Sequence, residues 1–246
     1  MNKNYIIVIL ANILLISGCA KDNRWDCFTG MGDMHTEVRE LPAFDAIFTE
    51  DRIDFEYRYD SNYRIEVTFG ENLLEHIHTE VVGNELRLGN DARCNWVRDL
   101  SKLPSVTLYA PHFSRFENRG NGEVVFKDTL RSSYFIYEEF EGNGDVSLLL
   151  HCDEVDIFQH TGRCRVLAKG QSDLVRMYSS GVGQLDGSAL LSTSTLVNNS
   201  SFQDIRVNSS GYLFALITKQ GDVCYTGSPT TLDINAEGSG QVIQCP

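Results

Sequence analysis

An all-β fold, a right-handed parallel β-helix or solenoid with rungs of about 20 residues, is what this sequence predicts, and three regularities predict it. An apolar anchor recurs at Val124, Val146, Val166, Leu185, Ile205, Val223 and Val242, at intervals of 22, 20, 19, 20, 18 and 19 residues. Turn residues hold fixed places before it. Four residues ahead stand Gly120, Gly142, Gly162, Gly181, Ser201, Lys219 and Gly238, and two ahead stand Gly122, Gly144, Cys164, Gly183, Gln203, Gly221 and Gly240. A second apolar column lies eight residues ahead: Phe116, Phe158, Met177, Val197, Ala215 and Ile234, broken by Glu138. The break falls in the longest interval, where a two-residue slip placing Ile136 inward restores the column.

One unit of strand, turn and strand has no partner for its inward residues, so units must stack to make a core. Stacked parallel strands lie about 4.8 Å apart and give every backbone donor an acceptor in the next rung. Crossovers between parallel strands in one sheet are right-handed. Glycine at the corners is expected to supply positive φ, which costs residues with a β-carbon energy. Propeller blades repeat at about twice this length, and a sandwich has no need of glycine at one phase of every repeat.

Taken from its beginning, the chain opens as a lipoprotein signal peptide over residues 1–18. Lys3 gives the positive n-region, Tyr5 to Ile16 the apolar run, and Ile16-Ser17-Gly18-Cys19 the small residues before a cysteine. The run is shorter than the roughly 20 apolar residues that span a bilayer. Cys19 is therefore the expected lipid attachment site. Residues 19–35 form a tether, and residues 36–246 a single β-helix domain. The absence of an aspartate beside Cys19 favours anchoring at the outer membrane, on its periplasmic or cell-surface side.

Ahead of residue 105 the period is less clear. Ala46 to Phe48, Phe55 to Tyr59, Arg64 to Phe69, Glu85 to Leu88 and Val106 to Tyr109 read as strands, with turns at Asp60-Ser61-Asn62 and Gly83-Asn84. Glu71 to Ile77 reads as a short helical turn.

The net charge is −13, and cleavage removes one positive charge, Lys3, to leave −14. A nucleic-acid partner needs a basic footprint and is excluded on this ground. Outside the cytosol disulfides persist. Cys27 and Cys94 are the expected pair, while Cys152, Cys164, Cys224 and Cys245 are left without assigned partners.

The segment Glu37-Val38-Arg39-Glu40-Leu41-Pro42-Ala43-Phe44-Asp45-Ala46-Ile47, then Tyr63-Arg64-Ile65-Glu66-Val67, Glu71-Asn72-Leu73-Leu74 and Thr79-Glu80-Val81, resembles the opening of the putative auto-transporter adhesin, head GIN domain family. The G-x-G-x-V repeats and the close Gly221-Asp222-Val223-Cys224-Tyr225-Thr226-Gly227-Ser228-Pro229 resemble its C-terminal half. The likeness covers residues 36 to 244. It implies a β-helix-like fold, an extracytoplasmic location and a weak suggestion of adhesion, and it brings no catalytic residue set and no cofactor. Cys164, Ser201, Gln203 and Lys219 depart from the family's glycines.

Three constellations bear on chemistry. His76-x-His78 has the spacing of metal ligands on a strand, but sequence fixes no third ligand, and a structural role is expected. Glu138, Glu139, Glu141, Asp145, Asp153, Glu154 and Asp156 span adjacent rungs, where stacked carboxylates suit calcium or a glycosidase pair, although a solvated face is the commoner outcome. Asp128-Thr129-Leu130 matches a short acceptor pattern for bacterial O-glycosylation. No G-x-S-x-G elbow or P-loop occurs.

A last column stands nine residues before the anchor: Arg115, Tyr137, Ile157, Arg176, Leu196, Phe214 and Asp233. Tyr137, Ile157, Leu196 and Phe214 are large and apolar on the side opposite the expected core, and make a candidate interaction face. Such a face is covered by the N-terminal region, buried in an oligomer, or used for a ligand. The expectation is a non-catalytic binding or scaffold module for a protein or polysaccharide, the alternative a carbohydrate-active enzyme.

Overall fold

The computed structural model describes residues 30–92 and 102–246. The signal segment, Cys19 and the expected pair Cys27 and Cys94 lie outside the described residues. The described strands are β1 (Met34–Glu40), β2 (Ala46–Thr49), β3 (Asp54–Tyr59), β4 (Arg64–Gly70), β5 (Ile77–Val82), β6 (Glu85–Asn90), β7 (Ser105–Ala110), β8 (Arg115–Asn118), β9 (Val124–Phe126) and β10 (Leu130–Glu139). They continue as β11 (Val146–Gln159), β12 (Val166–Ser179), β13 (Leu185–Asn199), β14 (Ile205–Asn208), β15 (Tyr212–Ile217), β16 (Val223–Thr226), β17 (Thr231–Ala236) and β18 (Val242–Gln244). A 3₁₀ turn at Leu74–His76 falls inside the segment read as helical.

These strands stack as a β-solenoid on two apolar spines. Val106, Phe55, Val124, Val146, Val166, Leu185, Ile205, Val223 and Val242 pair rung upon rung in parallel register. The repeat read from the sequence is this spine. The second runs through Leu86, Ile47, Phe116, Tyr137, Ile157, Met177, Val197, Ala215 and Ile234. All but the last of these are buried, and full burial of a Val- or Leu-sized side chain contributes roughly 1.5–3 kcal/mol.

The second spine corrects the sequence reading. Tyr137 and Ile157 are fully buried within it, whereas Ile136 and Phe158 point outward and are half-buried. The slip is thus one residue, and it affects two rungs. From Tyr137 to Val146 and from Ile157 to Val166 the chain takes nine residues, where the rungs that start at Ile47, Phe116, Met177, Val197, Ala215 and Ile234 take eight. Within these two longer turns Glu141 (φ 67°) and Gly162 (φ 98°) take left-handed backbone.

The turn glycines also have a different cause from the one expected. Of Gly120, Gly122, Gly142, Gly144, Gly162, Gly181, Gly183, Gly221, Gly238 and Gly240, only Gly162 has positive φ. What most of the others lack is room. A Cβ at Gly122, Gly144, Gly183, Gly221, Gly238 or Gly240 would overlap the carbonyl oxygen of Ile53, Gly122, Cys164, Gln203, Lys219 or Gly221 respectively, each in the rung below.

Beneath these turns runs a buried polar ladder. Thr49, Asn118, Glu139, Gln159, Ser179 and Asn199 stack in register and are buried. Apart from Glu139 Oε1, which has no partner, their side chains bond to one another and to the turn backbone. Thr49 Oγ1 donates to Asn118 Oδ1 at 3.0 Å, Gln159 Nε2 to the Cys164 carbonyl at 2.8 Å, and Ser179 Oγ to Gln159 Oε1 at 3.0 Å. Asn199 Nδ2 donates to the carbonyls of Gln203 and Asp222, both at 3.0 Å.

The two ends of the stack differ. The chain lays down β2 and β3, places β6 and β7 beneath them, and then returns to build β8 and β9 above. Below the lowest coil, β5 pairs antiparallel with β6 and β4 antiparallel with β7, and β1 covers β4 in turn. At the other end β17 and β18 pair on one side alone, with β15 and β16. A disulfide joins Cys224 to Cys245, 21 residues apart, and ties β18 to the coil below, while Cys152 and Cys164 are buried and free.

Closing a loop of this length constrains the unfolded chain by about 3 kcal/mol in the chain-entropy account. This bridge ties the terminal coil, so Cys224→Ser is expected to lower stability by about 2 kcal/mol. Denaturant unfolding with and without reductant checks this; identical midpoints would show that the bridge carries no stability.

Candidate functional site

On the outer surface of the second spine, side chains alternate with the core. One row runs Ile136, Asp156, Arg176, Leu196, Phe214 and Asp233, and its neighbour Glu138, Phe158, Tyr178, Asn198, Leu216 and Asn235. Period-two alternation puts polar residues on a solvated face, yet these rows carry Phe158, Tyr178, Leu196, Phe214 and Leu216. All five are half-buried. Together with Arg176 they line a shallow depression of about 260 Å³.

The apolar run continues along the stack at the corner. The Phe140 and His160 rings stack at 4.3 Å and 10°, His160 meets Tyr178 at 5.7 Å, and Tyr178 meets Phe158 edge-on at 6.4 Å and 85°. The Arg119 guanidinium lies 4.8 Å over the Phe140 ring. Aromatic and cationic groups thus form a strip that crosses successive rungs, each ring fixed by its neighbours.

Arg176 holds the polar margin of the depression. It donates to Asp156 Oδ1 at 2.6 Å and to Glu154 Oε2 at 2.7 Å, and the Tyr134 hydroxyl donates to Asp156 Oδ2 at 2.9 Å. Burial, reinforced by the bond to Asp156, pushes the Tyr134 hydroxyl up to about 12. The Tyr134 phenol is therefore neutral at physiological pH.

Of the candidate face read from sequence, the structure keeps Leu196 and Phe214 outward and moves Tyr137 and Ile157 into the core. Phe158, Tyr178, Leu216 and Phe140 belong to the face and were missed. Signals were present: the one-residue surplus in two rungs shifts parity at Phe140 and Phe158, while Tyr178 and Leu216 stand seven residues before their anchors, on the same parity as Leu196 and Phe214. No described strand pairs over these rows, so the N-terminal strands, gathered at the far end of the stack, do not cover them.

The remaining constellations do not converge. Glu138 is 2.7 Å from Arg115 Nη2, Asp145 is 3.3 Å from Arg165 Nη2, and Asp156 and Glu154 share Arg176. Glu139 points inward, where Gln159 Nε2 donates to its Oε2 at 3.1 Å. His76 Nδ1 and His78 Nε2 lie 2.8 and 2.9 Å from the two oxygens of Asp91, which thus contacts both imidazoles. Among the described residues no group of three or more His, Cys, Asp and Glu side chains is arranged to hold a metal ion. Asp128 accepts a hydrogen bond from the Tyr59 backbone at 3.0 Å, next to a half-buried Thr129.

A model of the family described as putative auto-transporter adhesin, head GIN domain, matches residues 43–229. Among solved structures, a putative adhesin from Bacteroides fragilis superposes with a TM-score of 0.79 at 20% identity, covering 87% of this chain and 97% of that one. A putative adhesin from Parabacteroides distasonis gives 0.67 at 18% identity over 88% and 98%. A putative lipid binding protein, also from Parabacteroides distasonis, gives 0.57 at 19% identity over 87% and 98%. At these identities the likeness is one of fold. No curated protein matches the chain.

Proposed function

Since the chain belongs to the putative auto-transporter adhesin, head GIN domain family, we propose that it is a non-catalytic binding module of the cell envelope that presents its stacked outer β-face to an extended protein or polysaccharide. The observation that carries this reading is the strip of Phe158, Tyr178, Leu196, Phe214 and Leu216 on a side of the sheet where solvent exposure calls for polar residues. A face that crosses several rungs contacts a polymer at regular steps of about 4.8 Å. Flat aromatic and aliphatic surface with a polar margin suits such partners.

The lipobox supports a tether at Cys19, and with it an outer-membrane location. Several acyl chains on one cysteine give stable anchoring, where one chain gives marginal binding. The mature charge of −14 disfavours nucleic acid and suits an exposed, soluble module.

The double substitution Leu196→Glu, Phe214→Glu is expected to weaken binding to a panel of bacterial polysaccharides and extended peptides by at least about tenfold, the scale of losing an interface anchor. Both side chains are half-buried on the outer surface, so the thermal midpoint should stay within about 4 °C. Unchanged binding with intact fold would remove the face from consideration, and robust turnover of any glycan by the intact protein would overturn the non-catalytic reading.

A further inference from the structure

A solenoid needs capped ends, because a terminal coil has no neighbour to cover its inward residues or to pair its outer backbone edge. Among the described residues, one end is capped by β4, β5 and β1, and no strand pairs beyond β17 and β18 at the other. Leu232 and Ile234 occupy positions of the buried columns, directly over Leu213 and Ala215, which are fully buried, yet they are themselves 44% and 49% exposed. The backbone is open as well. Thr231 N–H donates to Gly211 at 3.0 Å and Glu237 N–H to Ile217 at 2.8 Å. In a parallel ladder alternate residues face alternate sides, so the N–H and C=O groups of Leu232, Ile234 and Ala236 point away from the molecule.

We propose that this edge pairs with the same edge of a second copy, β17 against β17 in antiparallel register about a two-fold axis at Ile234. An isologous contact requires that the strand complement itself, and this register does so. Ile234 faces Ile234, and Leu232 faces the small Ala236 of the second copy, so each inward position gains a cover of suitable size. On the outer side Asp233 faces Asn235, an acid opposite an amide. The neighbouring registers fail on charge: an axis at Asp233 sets that carboxylate against itself, and one at Asn235 sets Asp233 against Glu237, and like charges directly opposite are destabilising. In the register at Ile234 the three residues with outward-facing backbone groups are also the ones that form hydrogen-bonded pairs.

Once residues 1–18 are removed, the segments left outside the described residues are too short to lie along this edge. Residues 19–29 lead into Gly30, whose carbonyl is held by Asn72 at the capped end, and eleven residues span at most about 40 Å fully extended. Eight steps of strand spacing separate β6 from β17, about 38 Å, which leaves no length to lie along the edge. Residues 93–101 are attached at both sides to the capped end. A second copy carries a self-complementary edge, and the contact extends an 18-stranded sheet across the axis.

The test uses the mature chain carrying Cys19→Ser, so that lipid does not drive association. Sedimentation velocity should show a dimer at about 100 µM, well above the dissociation constant of a specific interface. Ile234→Lys should weaken it at least about 100-fold, as expected for a charge at the centre of an apolar contact, while circular dichroism and the thermal midpoint stay unchanged because the side chain is exposed in the single copy. Ile234→Cys should cross-link to itself on mild oxidation, since facing Cα atoms about 5.5 Å apart fall within disulfide range; Asp233→Cys should not. A monomer at that concentration, or a dimer indifferent to Ile234→Lys, would overturn the proposal. So would a monomer whose Leu232, Ile234 and Ala236 amides resist hydrogen exchange, which would mean that the chain covers its own edge.

Discussion

Gly144→Ala is expected to destabilise the protein by about 3 kcal/mol, a large share of the 5–15 kcal/mol that holds a typical domain together. The added Cβ would overlap the carbonyl oxygen of Gly122 in the rung below. Neither partner can turn aside, since both are backbone, and moving one rung strains the ladder bonds on both sides of it. Gly181→Ala provides the contrast. It belongs to the same repeat of turn residues, but its Cβ would meet the Gln159 Cγ and the Gly162 carbonyl at 3.3 Å, an approach that a few tenths of an ångström relieves. Its cost should stay below about 1 kcal/mol. Equilibrium unfolding in urea separates the two, and equal midpoints for the variants would refute the close-approach account of these glycines.

Glu139→Gln should raise stability at pH 8 by about 3 kcal/mol and change it little at pH 4. The Glu139 carboxyl is fully buried, its Oε1 has no hydrogen-bond partner, and burial pushes its pKa from 4.5 to about 7, with the Gln159 bond only partly opposing. Below the unfolded value both states hold the proton and the residue costs nothing. Between about 4.5 and 7 the unfolded chain has released it and the folded chain has not. The folded state then binds more protons, so stability falls as pH rises, and above the folded value the whole cost persists. Glutamine keeps the shape and removes the titration. Unfolding midpoints from pH 4 to 8 should therefore decline in the parent and lie flatter in the variant; parallel curves would show that Glu139 is not the source.

The parts of the fold that bury apolar surface were legible in the sequence. Val146, Val166 and Leu185 recur at the repeat length because each must cover the next, and burial writes that need into residue type. The strands β1 and β5 left little trace for the same reason. All but one of the residues of β1 are exposed, and β5 alternates around a half-exposed edge; ladder hydrogen bonds hold both strands, and those bonds do not select side chains. The polar ladder of Asn118, Glu139, Gln159, Ser179 and Asn199 was hidden because polar residues beside glycines look like ordinary turn composition, and only its inward direction sets it apart. The outer face was half legible. Counting from the anchors fixed Leu196 and Phe214, but the surplus residue near Glu141 and Gly162 reversed the sides of Tyr137 and Ile157.

Each coil in the upper stack touches only the coil before it and the coil after it, and this makes length adjustable. Excising one whole repeat, such as the stretch from Val166 to Gln184, would shorten the distance from the base to the far tip by a single increment of about 4.8 Å and leave the remaining contacts intact. The protein is in this respect a ruler, graduated in strands, whose length from base to tip is set by how many marks it carries.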